Sequence, residues 1–203
     1  MTARNPEDRP SSREVTQALQ DQAASRAKHK VDAALIPSDE DARMEAVRRY
    51  AILDTPADGA FDRITSLAAR LFSVPIAIVS IVDHDRIWFK SHHGVPVEEI
   101  GRDAGLCASA ILQDDVWVIE NAPEDPRTLA NPLVAGEFGL KFYAGAPLKS
   151  RDGYNLGTLC ILDHEPRVLD ASESATLRDL AAVVMNVLEL RLDSRTPQLP
   201  GPS

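Results

Sequence analysis

The sequence has few cysteines, with only Cys107 and Cys160 among its 203 residues. Two cysteines are too few for the disulfide framework that stabilises small secreted domains. The count fits a reducing compartment instead, and a chain of this length can bury a core without covalent cross-links. We therefore expect a cytoplasmic protein.

Long apolar runs and a clustered basic face are missing as well. No apolar stretch approaches the length of a membrane span, and the opening residues, MTARNPEDRPSSREVTQ, lack the apolar core of a signal peptide. Lys and Arg number 22 against 31 Asp and Glu, which gives a net charge of −9. Nucleic-acid binding needs basic side chains concentrated on one face. The composition therefore argues against nucleic acid and membrane as partners.

Metal-binding spacings are also missing. No Cys-x-x-Cys or His-x-x-x-His pair occurs, and the adjacent His92 and His93 point to opposite faces of a predicted strand. Residues 136–139, GEFG, are too short for a phosphate-binding loop and lack its Lys-Ser/Thr pair. We predict no metal site, and the sequence identifies no cofactor.

The chain divides by composition into three parts. Residues 1–37 are polar or sparsely apolar and are predicted to be a disordered or marginally helical N-terminal arm. Residues 38–192 are predicted to be one folded domain. Residues 193–203, which end in TPQLPGPS, are predicted to be a disordered tail.

Four helices are predicted in the domain from apolar residues and capping signals, and the third of them is a short helix at about 106–112. The first covers about 39–52, and the second runs to about 72, with Thr55 as N-cap and Pro56 in the first helical position. The last helix begins at Asp170, which resembles a capping box together with Glu173.

Short apolar runs rich in Ile and Val predict strands at 75–82 and 86–92, and a further strand at 116–120. The strongest signal is residues 142–163, FYAGAPLKSRDGYNLGTLCILD, in which an Asp-Gly pair separates two apolar runs and indicates a β-hairpin. Hairpins, with helices at the two ends of the chain, predict an α+β fold with a mostly antiparallel sheet.

Four phrases in order resemble a GAF domain. They are YAILDTPADGAFDRITSLAARLFSVPIAIVSIVDHDRIWFKS, GLCASAIL, NAPEDPRTLANPL and FYAGAPLKSRDGYNLGTLCILD. The resemblance covers about residues 42–192 and is to the subgroup attached to histidine kinases and diguanylate cyclases. It implies a GAF/PAS-like antiparallel sheet of about six strands, with terminal helices on one face and a ligand pocket on the other. Gly145, Ala146 and Gly157 are then expected to let the helices pack closely.

A GAF-like domain implies a stand-alone sensory or regulatory module rather than an enzyme, one that binds a small molecule or a partner protein in signal transduction. About a dozen residues follow the last predicted helix, so we expect an effector such as a kinase or cyclase to be a separate protein. That helix has a second apolar stripe formed by Val183, Val187 and Leu190. We therefore expect a homodimer through the terminal helices. A ligand-free dimerisation or interaction module is an alternative.

Cys107 supports a second alternative, a thiol-based enzyme. It lies near the predicted start of a helix, where the helix dipole favours a thiolate. The fragment from Gly105 to Cys107 is similar to the Gly-x-Cys fragment of the free methionine-(R)-sulfoxide reductases, which are also GAF-like. Those enzymes have further cysteines upstream, and this chain has none there, which leaves Cys160 as the only internal partner for an oxidised Cys107.

Candidate ligand-binding residues follow from a pocket expected between the sheet and residues 105–135. Alternation along a strand puts neighbouring aromatics on opposite faces, and the sequence does not choose the face that lines the pocket. Arg127 is a candidate for contacting an anionic ligand, with pairing to a carboxylate as the structural alternative. The predicted ligand-binding residues are Trp88, Lys90, Cys107, Ser109, Arg127, Phe142 and Tyr143.

Overall fold

The computed structural model describes residues 31–195, so most of the predicted arm and tail lies outside the described residues. Within this range, the strands are β1 Ile76–Val82, β2 Arg86–His93, β3 Glu99–Gly101, β4 Trp117–Ile119, β5 Phe142–Lys149 and β6 Asn155–Asp163. The α-helices of this range are α1 Glu40–Tyr50, α2 Gly59–Leu71, α3 Cys107–Ala110, α4 Pro132–Ala135 and α5 Ala171–Arg195. A 3-10 turn, Ala33–Leu35, precedes α1. None of these helices combines the length and apolar character that a membrane crossing requires.

The strands form one antiparallel sheet in the spatial order β3-β2-β1-β6-β5-β4. Two hairpins, β1–β2 and β5–β6, lie side by side because β1 pairs with β6 at the centre of the sheet. Helices α1, α2 and α5 pack on one face of this sheet. The arrangement confirms the predicted α+β fold, with its sheet of about six strands and its terminal helices on one face.

The hairpin predicted within residues 142–163 is present as β5 and β6. Its turn places Gly153 at φ 94°, a left-handed conformation that a residue with a side chain rarely adopts. The Ser150 hydroxyl donates to the carboxylate of Asp152 and accepts from the backbone N–H of Tyr154. The Asp-Gly signal and the apolar runs beside it therefore predict this pairing correctly.

The two faces of the sheet are buried by different layers. On the face that we call the helix side, the sheet contributes Val79, Ile81, Phe142, Ala144, Leu159 and Ile161 to the core. On the opposite face, which we call the loop side, it contributes Ile78, Val82, Phe89, Tyr143, Cys160 and Leu162. The loop side is covered by residues 102–116 and 120–140, which we call the covering layer. The covering layer has only short regular elements, since α3 and α4 have four residues each.

Helix α2 begins later than predicted. Its N-cap is Asp58, whose carboxylate accepts from the backbone N–H of Ala60. Thr55 is not the cap, because its hydroxyl donates instead to the carbonyl of Ile52 at 2.7 Å. The loop that contains Pro56 therefore keeps its own hydrogen bonds and lies outside the helix.

Helix α5 begins as predicted and ends later. Asp170 and Glu173 each accept from the other's backbone N–H, which confirms the capping box. The helix continues to Arg195, into the segment predicted as tail, and the Arg195 guanidinium donates to the carbonyl of Tyr50 at 3.0 Å. The last turn of α5 is thereby attached to the end of α1.

Two short elements were not predicted. The three residues of β3 pair with β2, Ile100 lying opposite Ile87, and they are too few to show an apolar alternation. Helix α4 is capped by Asn131, which accepts from the backbone N–H of Leu133, and its single turn is likewise too short for helical periodicity.

The two glycines of the hairpin strands have other roles than the expected one. At Gly157 a Cβ would lie 1.9 Å from the carbonyl oxygen of Ser80, so the close approach of β1 requires a glycine. At Gly145, on the loop side, a Cβ would lie 2.3 Å from the hydroxyl oxygen of Tyr143. Only Ala146, buried on the helix side, fits the expectation that a small residue admits the helices.

A buried ion network attaches the start of the domain to the sheet. Glu40, in the first turn of α1, accepts from Arg43 at 2.7 Å and from Arg102 at 2.5 Å. Both arginines are 1% exposed. Arg102 also donates to the carbonyl of Leu35, and Arg43 donates to the carbonyl of Val82. Burial alone would raise the pKa of Glu40, but the two guanidinium groups outweigh it and lower this pKa from 4.5 to about 2.

Glu40→Gln is expected to lower the free energy of unfolding by about 3 kcal/mol at neutral pH, because two buried guanidinium groups lose the carboxylate that they share. The folded-state pKa lies below the unfolded value of 4.5, so the contribution is complete above pH 4.5 and is lost as the pH falls toward 2. Urea unfolding of both proteins over this pH range measures the difference, which should narrow on acidification.

The matched control is Glu45→Gln, at an exposed position of the same helix. It should change the free energy of unfolding by less than about 0.5 kcal/mol. An equal loss of stability in the two variants would contradict the role given to Glu40, as would a loss at Glu40 that does not depend on pH.

Candidate functional site

The candidate site lies on the loop side of the sheet, around the two cysteines. Cys160 is in the middle of β6 and Cys107 begins α3, with 3.7 Å between the two sulfur atoms. Gly105 allows this approach, since a Cβ there would lie 2.1 Å from the Cδ1 atom of Ile87. Both thiols are free and buried. The fold thus brings Cys107 against the one residue that the sequence left as its internal partner.

Three hydroxyl groups accompany the thiols. Ser80 in β1 and Thr158 in β6 are opposite each other in the register, and their hydroxyl oxygens are 3.0 Å apart. Tyr143 in β5 is 1% exposed, and its hydroxyl has no hydrogen-bond partner within residues 31–195. A buried hydroxyl without a partner is destabilising by about 1–3 kcal/mol. Tyr143 therefore has an unused donor and acceptor beside the thiols. We call these five residues the thiol cluster.

The thiols titrate as a pair. A hydrogen bond from Cys160 lowers the pKa of Cys107 to about 6 against the opposing effect of burial, and the hydroxyls of Ser80 and Thr158 act in the same direction. Burial raises the pKa of Cys160 well above its usual range, and the neighbouring Cys107 adds to this. Burial also raises the pKa of Tyr143, so its phenol keeps its proton. These opposite shifts make Cys107 the more acidic of the two thiols.

Of the predicted ligand-binding residues, Cys107 and Tyr143 belong to the thiol cluster. Trp88, Lys90 and Phe142 point to the helix side instead, across the sheet from the thiols. A single pocket lined by all the predicted residues is therefore excluded, because strand alternation sends these side chains to opposite faces.

Trp88 and Lys90 line an open groove of about 580 Å³ beside the loop that precedes α2. The Lys90 ammonium donates to the Thr55 hydroxyl at 2.9 Å and to the carbonyl of Pro56 at 2.6 Å, and it lies 5.5 Å from the ring centre of Phe61. Burial lowers the pKa of Lys90. Its ammonium thus attaches this loop to β2.

Arg127 and Ser109 lie in the covering layer. The Arg127 guanidinium pairs with Asp125 at 2.6 Å, donates to the carbonyl of Val118 and lies 5.3 Å from the ring centre of Trp117. The structural alternative for Arg127, pairing with a carboxylate, is therefore present. Ser109 is half-buried on α3. Within the described part of the chain, no group of three or more His, Cys, Asp and Glu side chains is arranged to hold a metal ion.

Sequence reasoning did not single out Ser80 and Thr158 as site residues. A signal was present, since each is a lone hydroxyl residue in an apolar run that predicts a buried strand. Thr158 and Cys160 are also two positions apart in one strand, so they share a face. A polar residue within a buried strand is thus the pattern that would have found them.

The sequence of this chain matches a known protein family and a curated relative. The model of the GAF domain family matches residues 56–188. The cyclic di-GMP phosphodiesterase PA2567 of Pseudomonas aeruginosa is 41% identical over 150 residues, which cover 73% of this chain and 26% of that protein. The chain thus spans about a quarter of the length of this curated relative.

Solved structures share the fold at low sequence identity. The GAF domain of an Acinetobacter phosphoenolpyruvate-protein phosphotransferase aligns with a TM-score of 0.54 at 16% identity, over 75% of this chain and 96% of that one. The free methionine-R-sulfoxide reductase of Neisseria meningitidis aligns with a TM-score of 0.55 at 15% identity, over 82% of this chain and 99% of that one. Such likeness shows the fold alone, and the reductase hypothesis for Cys107 stays a prediction.

Removing the Cys160 thiol is expected to raise the pKa of Cys107. In Cys160→Ala the thiolate loses its strongest donor while it stays buried, so the midpoint of its formation should rise from about 6 to above the ordinary value of 9. The ultraviolet absorbance of the thiolate across a pH titration measures this midpoint.

Cys160→Ser is the matched variant, because it keeps an O–H donor at the same place. Its midpoint should lie below that of Cys160→Ala. A midpoint that stays near 6 in Cys160→Ala would contradict the role of the Cys160 thiol as the donor that lowers the pKa of Cys107. Equal midpoints in the two variants would contradict it as well.

Proposed function

Because the chain belongs to the GAF domain family, as its sequence resemblance predicts, we propose that it is a sensory or regulatory module of signal transduction rather than an enzyme. In this proposal the module binds a small molecule or a partner protein, and the chemical activity resides in a separate effector.

The observation that supports ligand binding most directly is the thiol cluster under the covering layer. Its polar groups are embedded in an otherwise apolar core, and the Tyr143 hydroxyl has no partner among the described residues. A ligand with a hydrogen-bonding group would satisfy this hydroxyl. The covering layer consists of turns and elements of four residues or fewer, which open at a lower free-energy cost than long helices or strands.

Strand β5 links the proposed ligand site to the helix side. Tyr143 points to the thiol cluster, while its neighbours Phe142 and Ala144 point to the core beneath the helices. Helix α5 packs directly on β5. A ligand that displaces Tyr143 would therefore also change how β5 packs against α5. Such a ligand shifts the equilibrium between the original and the changed packing according to the difference in its affinity for the two.

We place the homodimer and effector contacts on the terminal helices. Val183 and Leu190 of α5 are 45% and 69% exposed, and Leu67 and Leu71 of α2 add exposed apolar area to the same layer. The effector we propose is a kinase or a cyclase, and the relative named a cyclic di-GMP phosphodiesterase adds phosphodiesterases to these classes. Two adjacent free thiols suit the reducing cytoplasm, which we propose as the location.

Tyr143→Phe is expected to weaken ligand binding about ten-fold, the value of one hydrogen bond, while it raises the stability of the ligand-free protein by up to about 1–3 kcal/mol, because it removes a buried hydroxyl without a partner. Native mass spectrometry of the purified protein identifies a bound small molecule. Thermal shift with metabolites and nucleotides then compares the affinities. Tyr50→Phe is the control, because Tyr50 donates to the buried Glu189 on the helix side. It should lower stability by about 1–3 kcal/mol without changing affinity.

Two results would contradict this proposal. A protein that carries no small molecule and shows no thermal shift with any metabolite or nucleotide would favour the ligand-free interaction module. Turnover of free methionine sulfoxide, lost in Cys107→Ser, would assign the reductase activity in its place.

Charged residues on α5 are expected to dissociate the homodimer. In the double variant Val183→Glu and Leu190→Glu, two carboxylates would have to be buried in the interface, and we expect the dissociation constant to rise more than about ten-fold. Sedimentation velocity across micromolar concentrations measures it. Val168→Glu is the control, because Val168 is 76% exposed but precedes α5. A wild-type protein that is monomeric throughout this range would contradict the proposed interface.

A further inference from the structure

The two thiols are placed for a reaction with each other that the proposed sensory function does not use. Their sulfur atoms are 3.7 Å apart, and a disulfide has a length of about 2.05 Å, so bond formation needs a movement of about 1.7 Å. Cys160 is fixed at the centre of the sheet, whereas Cys107 is in a four-residue helix with turns on both sides. Cys107, together with the covering layer around it, is therefore the part that moves.

We propose that Cys107 and Cys160 form an oxidisable dithiol, which a hydroperoxide converts into an intramolecular disulfide that joins α3 to β6. Cys107 is the attacking residue, because its sulfur lies 3.7 Å from the Cys160 thiol, whose hydrogen bond favours the thiolate at Cys107. Cys160 is the resolving residue, because it is the only other cysteine of the chain and is in contact with Cys107.

In the first step the Cys107 thiolate attacks one oxygen of hydrogen peroxide. A sulfur–oxygen bond forms as the oxygen–oxygen bond breaks, which leaves a sulfenic acid at Cys107. The departing hydroxide takes the proton of the neighbouring Cys160 thiol and leaves as water. The Tyr143 phenol keeps its proton and can donate a hydrogen bond to the oxygen atoms during this exchange.

In the second step the new Cys160 thiolate attacks the Cys107 sulfur. The sulfur–sulfur bond forms as the sulfur–oxygen bond breaks, and the second hydroxide takes up the proton that Cys107 had released. In sum, two thiols and one peroxide give one disulfide and two waters, and the two electrons pass from sulfur to peroxide oxygen.

The surroundings of Cys107 select for a small oxidant. Cys107 is 5% exposed and Cys160 is fully buried, so access requires a local opening of the covering layer. The hydroxyls of Ser80, Thr158 and Tyr143 provide hydrogen bonds to a molecule as small and polar as hydrogen peroxide. The reaction does not require the cluster to bind any other ligand, so it stands apart from the proposed sensory function.

The experiment treats the reduced full-length protein with hydrogen peroxide and follows its intact mass and its free thiols after unfolding. The wild-type protein should lose two hydrogen atoms and both thiols together, without cross-links between chains, and a reductant should restore both thiols. Cys160→Ser should stop at the sulfenic acid, which dimedone traps at Cys107. Cys107→Ser should react at least about ten-fold more slowly and give no sulfenic acid, because the remaining thiol is protonated and fully buried.

Urea unfolding of both serine variants is measured alongside, so that a loss of reactivity is compared only between folded proteins. The proposal is overturned if folded wild-type protein keeps both thiols under conditions that oxidise the unfolded chain. It is also overturned if oxidation produces disulfides between chains, or if the two single variants react at equal rates.

Discussion

Burial of the central strands on both faces is the constraint from which the chemistry of this GAF domain follows. Every residue of β1 is buried, and β6 is buried along nearly its whole length. A polar side chain in these strands therefore has no access to water and must find a partner within the protein. Ser80 and Thr158 pair with each other across the two strands, and Cys160 pairs with Cys107 from the layer above. The thiol cluster thus forms because the buried polar side chains of the central strands can pair only with one another and with Cys107.

The covering layer is held by a few side chains rather than by long regular elements. At its start, Arg102 shares the carboxylate of Glu40 with Arg43. Farther along, the side-chain amide of Asn131 donates to the carbonyl of Ala104, and that of Asn155 in β6 donates to two carbonyls just after α3. Point attachments of this kind leave the segments between them free to shift, while the buried ion network sets the overall position of the layer.

The sequence was sufficient for the elements with a long repeating pattern and for the family. The hairpin of β5 and β6 and the capping box at Asp170 were predicted from local signals, and local residues do determine them. The site was predicted less well, because its residues depend on which side chains of each strand lie on the helix side and which lie on the loop side. Trp88 and Tyr143 occupy opposite faces, and no local pattern in either strand decides this. The contact between Cys107 and Cys160 joins residues that are 53 positions apart, which only the folded sheet brings together.

The outermost strands, β3 and β4, have only three residues each in the described sheet. A long open strand at the border of a sheet offers its unpaired backbone to any passing extended chain, and short ones offer little. β3 and β4 themselves therefore offer few backbone groups for joining one sheet to another. The proposed homodimer would therefore depend on the side-chain surfaces of the terminal helices, which point mutations can alter. A homodimer joined in the proposed way, through side chains alone, would be reversible in a way that a continuous intermolecular sheet is not.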